Sequence, residues 1–243
     1  DIVPFLGLEL EVEHNGEIDR KEGALAVKDS LGDVAYCMHD GSLGRRGKDG
    51  FEIVFHPITY EWFEDNWDRI RGMMKTLRAM GYRSWNSGRC GMHVHISRQP
   101  MSEVHQLKWL RFIYGSTNLA MCIGRRGYND PNLKKYSPFD REDRSQMMRK
   151  ITRNINPGSD SHYAAINATR ASTLEARFMR GTLSSRGFRK NVEFIQSTWE
   201  FARLYGIATA NEMNYLEWLR SPEPSLRFPT VLNYIERNYL KGP

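Results

Sequence analysis

The chain has 243 residues, 35 Lys and Arg against 29 Asp and Glu for a net charge of +6, with 40% hydrophobic and 26% charged residues. A globular chain of this length buries roughly 70–75% of the surface its unfolded form exposes, so it needs no disulfide scaffold or partner for stability, and disorder, collagen and a miniprotein are excluded. Cys37, Cys90 and Cys122 are odd in number and far apart, which excludes a zinc ribbon or a Cys-x-x-Cys pair and points to reduced thiols in a cytoplasmic setting. No apolar run approaches the roughly 18–20 residues that cross a bilayer, and Asp1–Gly7 lacks a basic, then hydrophobic leader, so the chain reads as soluble, unexported and without membrane contact. Because it begins at Asp1 and not Met, it reads as trimmed at that end. The positive charge is compatible with nucleic acid and equally with an enzyme that handles polyanions.

In chain order, Leu6–Glu13, Val34–Met38 and Phe51–Phe55 alternate apolar and polar residues, as half-buried strands do. The glycine-rich, basic stretch Gly41–Gly50 between the last two reads as a loop. Phe63, Trp67, Ile70, Met74 and Leu77 recur at steps of four and three, which predicts a helix with Thr59 as its cap and Gly81 beyond its end. Gly91–Ser97 returns to period two. A helix is expected after Ser102, with Val104, Leu107, Leu110 and Tyr114 on its buried stripe and an end near Gly124. The stretch 124–161 is poor in apolar residues and reads as a loop or lid. Ser172–Met179 is a further strand. A helix over 188–209 carries Val192, Ile195, Trp199 and Ala202, Ser221–Ser225 reads as a turn, and a last helix runs over Pro229–Leu240. The pattern has no regular strand–helix–strand repeat, so the expected fold is a single α+β domain over 1–243, a mainly antiparallel sheet with helices on one face.

Side chains two apart on a strand share a face. With Leu8, Leu10 and Val12 packed on the core, Glu9, Glu11 and Glu13 turn the other way; Glu52 opposes Phe51 and Ile53, His93 and His95 oppose Met92, Val94 and Ile96, and Glu175 and Arg177 oppose Leu174, Ala176 and Phe178. Each pair alone is an ordinary wet strand face or, for Glu175 with Arg177, a surface ion pair worth about 0–1 kcal/mol. Recurrence on separate strands places carboxylates, imidazoles and an arginine on one open face. Crowded carboxylates need protons, water or cations, and an oxygen-rich set with one or two imidazoles suits Mg²⁺ or Mn²⁺ better than Zn²⁺. An amidohydrolase-type site begun by His93 and His95 lacks the later ligands and the strand–helix units of a barrel.

The segment Gly91–Ser97 (GMHVHIS) resembles the Gly-x-His-x-His strand of glutamine synthetases, Leu174–Phe178 (LEARF) their Glu-x-Arg-Phe strand, and Gly7–Glu11 (GLELE) their opening Glu-x-Glu strand. Asp40-Gly41-Ser42, Glu52-Ile53-Val54, His56-Pro57, Tyr163–Asn167 and Gly181-Thr182-Leu183 look most like the amidoligase family, within the carboxylate–amine ligase superfamily that includes glutamine synthetase and glutamate–cysteine ligase. The resemblance spans residues 6 to about 183. It implies a glutamine-synthetase-like catalytic domain on a curved antiparallel sheet, using ATP and Mg²⁺ or Mn²⁺. Carried over by position, Glu11 and Glu52, with Asp40, would hold the metal nearer the acid substrate. Glu9, His93 and Glu175 would hold the metal bridging the ATP phosphates, Arg177 would contact the transferring phosphoryl group or the substrate carboxylate, and His95 would lie near the phosphates. The ammonia-site elements and large ring assembly of glutamine synthetase are not recognisable, and no residue is assignable as base for the amine.

The implied reaction activates a carboxylate as an acyl phosphate and joins it to an amine carried by a small molecule, a peptide or a modified macromolecule. Arg45, Arg46 and Lys48 are candidates for gripping an anionic substrate, and Arg170 for a phosphate contact. A guanidino-kinase-like phosphotransferase would use the same site, and a basic nucleic-acid-binding protein would use Arg125, Arg126, Lys134, Lys135, Arg149 and Lys150, although aromatics are not interleaved with them as a stacking platform requires.

Overall fold

The computed structural model describes residues 3–14, 20–43, 50–84, 88–127, 129–139 and 163–241. They form a mixed fold of helices and antiparallel strands, grouped in two compact units, Val3–His95 with Arg180–Phe188, and Ile96–Met179 with Arg189–Pro243. Arg45, Arg46, Lys48, Arg149 and Lys150 lie outside the described residues. Among those described, no helix is long and apolar enough to cross a membrane.

The first unit is built from β1 (Leu6–His14), α1 (Arg20–Leu31), a 3-10 turn (Gly32–Val34), β2 (Ala35–Met38), β3 (Gly50–Phe55), α2 (Tyr60–Asp65), α3 (Trp67–Ala79), β4 (Tyr82–Arg83) and β5 (Gly91–Ser97) as far as His95. The strand order there is open, β2-β3-β1-β5, with β4 beside β1. The β1–β3, β2–β3 and β1–β4 pairs are antiparallel. Leu6, Leu8, Leu10 and Val12 are buried with Ile53, Phe63, Ile70, Met73, Leu77 and Phe188, each such side chain worth roughly 1.5–3 kcal/mol of burial. Along β1 the alternation fails once: Glu13 is 2% exposed and pairs with Arg89 at 3.2 Å.

The predicted helix after Thr59 is two helices. Thr59 Oγ1 caps α2 by accepting from the Trp62 N–H at 3.1 Å, and α2 then stops at Asn66, whose Nδ2 donates to the Trp62 carbonyl at 3.0 Å. An Asn side chain that binds local backbone offers the chain an alternative to helix, and α3 starts afresh beyond it.

The second unit holds α4 (Glu103–Gly115), α5 (Thr117–Gly124), α6 (Pro131–Tyr136), β6 (Ile166–Asn167), β7 (Thr173–Arg180) through Met179, α7 (Ser185–Leu204) from Arg189, α8 (Glu212–Arg220), α9 (Pro222–Arg227) and α10 (Pro229–Asn238). Strands β6 and β7 pair antiparallel. Ser102 caps α4 as its position predicts, but the helix breaks at Ser116 and its buried stripe differs from the expected one: Val104 is 60% exposed, while His105, Gln106, Trp109, Leu110, Phe112 and Ile113 are buried. Polar groups enter this core because they find partners. Trp109 Nε1 donates to Thr198 Oγ1 at 3.0 Å and His105 Nε2 to the Trp199 carbonyl at 2.9 Å. Two stretches read as loop or turn contain short helices instead. Asp130 Oδ1 caps α6 by accepting from the Asn132 and Leu133 N–H groups, with Pro131 in the first turn; α9 likewise has Pro222 in its first turn after Ser221, but the Ser221 hydroxyl donates to the Trp218 carbonyl at 2.6 Å and does not cap the helix.

Candidate metal centre

The site in the first unit begins with strand register. Glu11 lies directly opposite Glu52 across the β1–β3 ladder, and Met38 opposite Glu52 across β2–β3. Like charges facing each other across a ladder repel, so this register needs a compensating charge. Glu9 lies two residues along β1, on the same face as Glu11.

Glu9 is gripped by both histidines of β5. His93 Nδ1 donates to its Oε2 at 3.2 Å and His95 Nε2 to its Oε1 at 2.9 Å. Burial works against the Glu9 charge, but these two hydrogen bonds and the neighbouring imidazoles outweigh it and hold the carboxyl well below the usual carboxylate range. Glu52 behaves in the opposite way. Burial, then the Glu9 charge, push its carboxyl up to about 7; His93 pulls the other way, and Glu11 and Asp40 add to the rise. A carboxyl raised in this way, by burial first and neighbouring acids second, is one that a cation would return to its ionised form.

One ligand atom each from Glu9, Glu52 and His93 lie within 4.8 Å of one another. An octahedral Mg²⁺ holds oxygens at about 2.0–2.1 Å, so opposed donors stand about 4.2 Å apart, and this cluster reaches that spacing with small side-chain movements. Two carboxylates with one imidazole fit a hard cation that keeps several waters. The residues therefore fit the ion that the sequence resemblance implies.

Two further expected ligands each spend one carboxylate oxygen on a backbone N–H. Glu11 Oε2 accepts the Gly91 N–H, and Asp40 Oδ1 accepts the Ser42 N–H at 2.8 Å. Both stay near enough to act on Glu52 electrostatically. Glycine makes the close packing of the site feasible at two positions. A Cβ on Gly7 would stand 3.3 Å from the Cβ of His95, and one on Gly91 would stand 3.2 Å from His93 Nε2 and 3.4 Å from Glu11 Oε2.

In the second unit Glu175 is buried at 3% exposure and accepts from Asn167 Nδ2 at 2.7 Å and from Arg177 Nη1. Asn167 faces Glu175 across β6–β7 and also accepts from Thr169 through its Oδ1. The role of Asn167 as the partner of Glu175 was not foreseen; a two-residue strand shows no periodicity to reveal it. Arg98 was missed as well. It is buried, with Nη2 2.6 Å from the Ala168 carbonyl and Nε 3.1 Å from that of Thr173, so it ties together the ends of β6 and β7. Arg170 is exposed between these strands. Of the basic residues considered for nucleic acid, Arg126 is committed to an ion pair with Asp130 at 3.1 Å, both side chains buried.

No protein-family model matches the chain, and no curated protein does. Among solved structures it is similar to a chain of the crystal structure of the complex between the prokaryotic ubiquitin-like protein Pup and its ligase PafA, at 11% sequence identity and a TM-score of 0.39. The match covers 97% of this chain and 62% of that one, so this chain spans less than two thirds of the other's length.

Proposed function

We propose that this chain is an ATP- and Mg²⁺-dependent carboxylate–amine ligase that forms an amide or isopeptide bond through an acyl phosphate. One observation carries the reading: Glu9, Glu52 and His93, from three strands, converge within 4.8 Å while Glu52 is raised to about 7. The ordered motifs that resemble amidoligases support it. A carboxylate does not react with an amine at neutral pH because its leaving group would be an oxide. A carboxylate oxygen attacks the γ-phosphorus of ATP, the bond from that phosphorus to the β–γ bridging oxygen breaks, and ADP leaves to give an acyl phosphate; the amine nitrogen then attacks the acyl carbon, the C–O bond to phosphate breaks, phosphate departs and the nitrogen loses a proton. Glu9, Glu52 and His93 would hold a divalent ion, which would supply charge neutralisation for the triphosphate. The chain's own residues position and orient. His93 and His95 fix the Glu9 carboxylate by one oxygen each, and the Gly91 N–H fixes Glu11. Glu175 and Arg177 keep the metal and phosphoryl roles that the resemblance gives them, and His95 and Arg170 the phosphate contacts.

The test is Mg²⁺-dependent release of phosphate from ATP in the presence of a carboxylate and an amine, with hydroxylamine as the trapping amine. The reading predicts a hydroxamate; a stable phosphorylated product with no amide would assign the site to a phosphotransferase.

A further inference from the structure

We infer that a cavity at the Glu13 end of β1, walled by the last turn of α3, by β4 and by the Thr182–Ser184 segment, takes one phosphate group, either free inorganic phosphate or the end of a small phosphomonoester. The site stands whether or not the chain is a ligase. All of its walls belong to the first unit. One wall comes from the Gly181-Thr182-Leu183 motif, which has no part in the metal centre. The Gly181 N–H donates to the Cys90 carbonyl at 3.0 Å, and a Cβ on Gly181 would stand 2.7 Å from the Gly91 carbonyl oxygen. Glycine is therefore what lets the segment lie against the start of β5, with Thr182 at the cavity. The other wall forms where the chain turns between α3 and β4, which sets Arg78 and Arg83 in the same lining.

That lining holds a surplus of donors. Arg78 and Arg83 bring two positive charges, no Asp or Glu lines the cavity, and neither guanidinium has a hydrogen-bond or ion-pair partner among the described residues. Glu13, opposite Arg83 across β1–β4, pairs with Arg89 instead, whereas Arg71, earlier on α3, is answered by Asp68 at 3.0 Å. Thr182 is 8% exposed, and its Oγ1 accepts the Ser184 N–H at 3.0 Å. A hydroxyl that accepts still has a proton to donate, and no described residue takes the proton of Thr182. Ser184 Oγ accepts the Gly187 N–H at 3.4 Å, which leaves its proton to donate as well. Ser84 is different: its Oγ donates to the Glu11 carbonyl at 2.7 Å and so fixes this wall to β1. Water can answer the hydroxyls but cannot neutralise two guanidiniums; an anion does both.

Charge and size select the anion. A carboxylate brings one negative charge, whereas a phosphate monoester brings close to two at neutral pH, on three acceptor oxygens, in a shape that matches guanidinium forks. The cavity measures about 240 Å³, room for about eight waters at roughly 30 Å³ each. That suits a phosphate on a short arm and falls below the roughly 300–1,000 Å³ of sites that enclose a drug-sized ligand, so a whole nucleotide is not its occupant.

The test titrates inorganic phosphate, and separately methyl phosphate, into the chain free of metal and nucleotide, read by calorimetry and by the amide NMR shifts of Thr182, Leu183 and Ser184. The expected result is a saturable one-site shift at these amides, with acetate weaker by roughly tenfold or more. Arg78→Gln, Arg83→Gln and Thr182→Val each weaken phosphate binding by roughly tenfold or more, while Thr182→Ser, which keeps the hydroxyl, retains it. Arg71→Gln leaves it unchanged. Arg78 is exposed, so its variant keeps the test open should the others misfold. Glu9→Gln also retains phosphate binding, which separates this site from the metal centre. Tighter binding of methyl phosphate assigns the site to a phosphomonoester and tighter binding of inorganic phosphate assigns it to the free ion, both in accord with the inference. No shift at these amides, acetate binding as tightly as phosphate, or binding indifferent to both arginine variants would overturn it.

Discussion

Two groups of buried charge in this molecule are built on opposite plans. On α7 of the second unit, Glu193 is fully buried, yet its Oε1 accepts from Arg189 Nε at 2.8 Å and its Oε2 from the Val231 N–H at 2.8 Å. Its neighbour Lys190 is also buried, donating to the Ile123 carbonyl and lying 4.3 Å above the Tyr234 ring. Each charge there is answered by a fixed protein group, which is how buried charge serves structure. In the first unit the acids face one another, Glu11 opposite Glu52 and Glu9 close by; the imidazoles hydrogen-bond Glu9, while burial and the Glu9 charge keep Glu52 raised against the pull of His93. Charge met by the protein locks a fold, and charge left for something else to meet marks a site.

The comparison breaks most sharply under substitution of the site. Glu9→Gln, His93→Ala or Glu175→Gln is expected to abolish Mg²⁺-dependent ATP turnover, by about a thousandfold or more, with circular dichroism unchanged. Full turnover in any of them would refute that residue's role. Glu193→Ala, by contrast, leaves Arg189 and a buried N–H without their acceptor and should lower stability by about 3 kcal/mol in denaturant titration, while Mn²⁺ affinity of the folded fraction is kept. A smaller effect is expected from Gly91→Ala, whose methyl group presses on His93 and Glu11: Mn²⁺ binding weakened by roughly tenfold, about 1.4 kcal/mol, on an intact fold. Calorimetric Mn²⁺ titration reads it directly.

The subtlest contrast lies in pH. Glu52 is raised from 4.5 to about 7 by folding, so the folded state binds the extra proton and the contribution of Glu52 to stability falls as pH rises through that window. Lys190 is lowered from 10.5 to about 7 by burial, then by the Arg125 charge; here the unfolded chain binds the extra proton, and stability rises with pH from about 7 toward 10.5. In metal-free protein, the Tm of Glu52→Gln minus that of wild type should therefore grow from pH 5 to pH 8, and Mg²⁺ should shrink the difference by raising the wild type. A difference flat with pH would show that Glu52 carries no excess proton affinity.

How far the sequence foretold this depends on the range of the interaction involved. Period two placed Glu9, Glu11, Glu52, His93 and His95 on their strands because alternation is local and needs no partner. Glu13 broke the rule: it is buried and paired with Arg89, a residue distant in sequence. The opposition of Glu11 and Glu52 was hidden, since register is set between segments and not within one. Strands β4 and β6, two residues each, are too short to show a period, and Asn167 went unnoticed with them. Helices α6 and α9 did carry a signal, Asp130-Pro131 and Ser221-Pro222, a cap-type residue followed by proline, which their polar surroundings masked. In α4 the apolar count favoured Val104, while the residues that enter the core include His105 and Gln106, whose burial depends on acceptors at Trp199 and Met101.

The most direct measurement is the anomalous difference map of a crystal soaked with Mn²⁺ and a non-hydrolysable ATP analogue. The account predicts a metal peak within coordination distance of Glu9, Glu52 and His93, with the triphosphate bound to it. A well-ordered nucleotide whose metal sits away from all three side chains would contradict it.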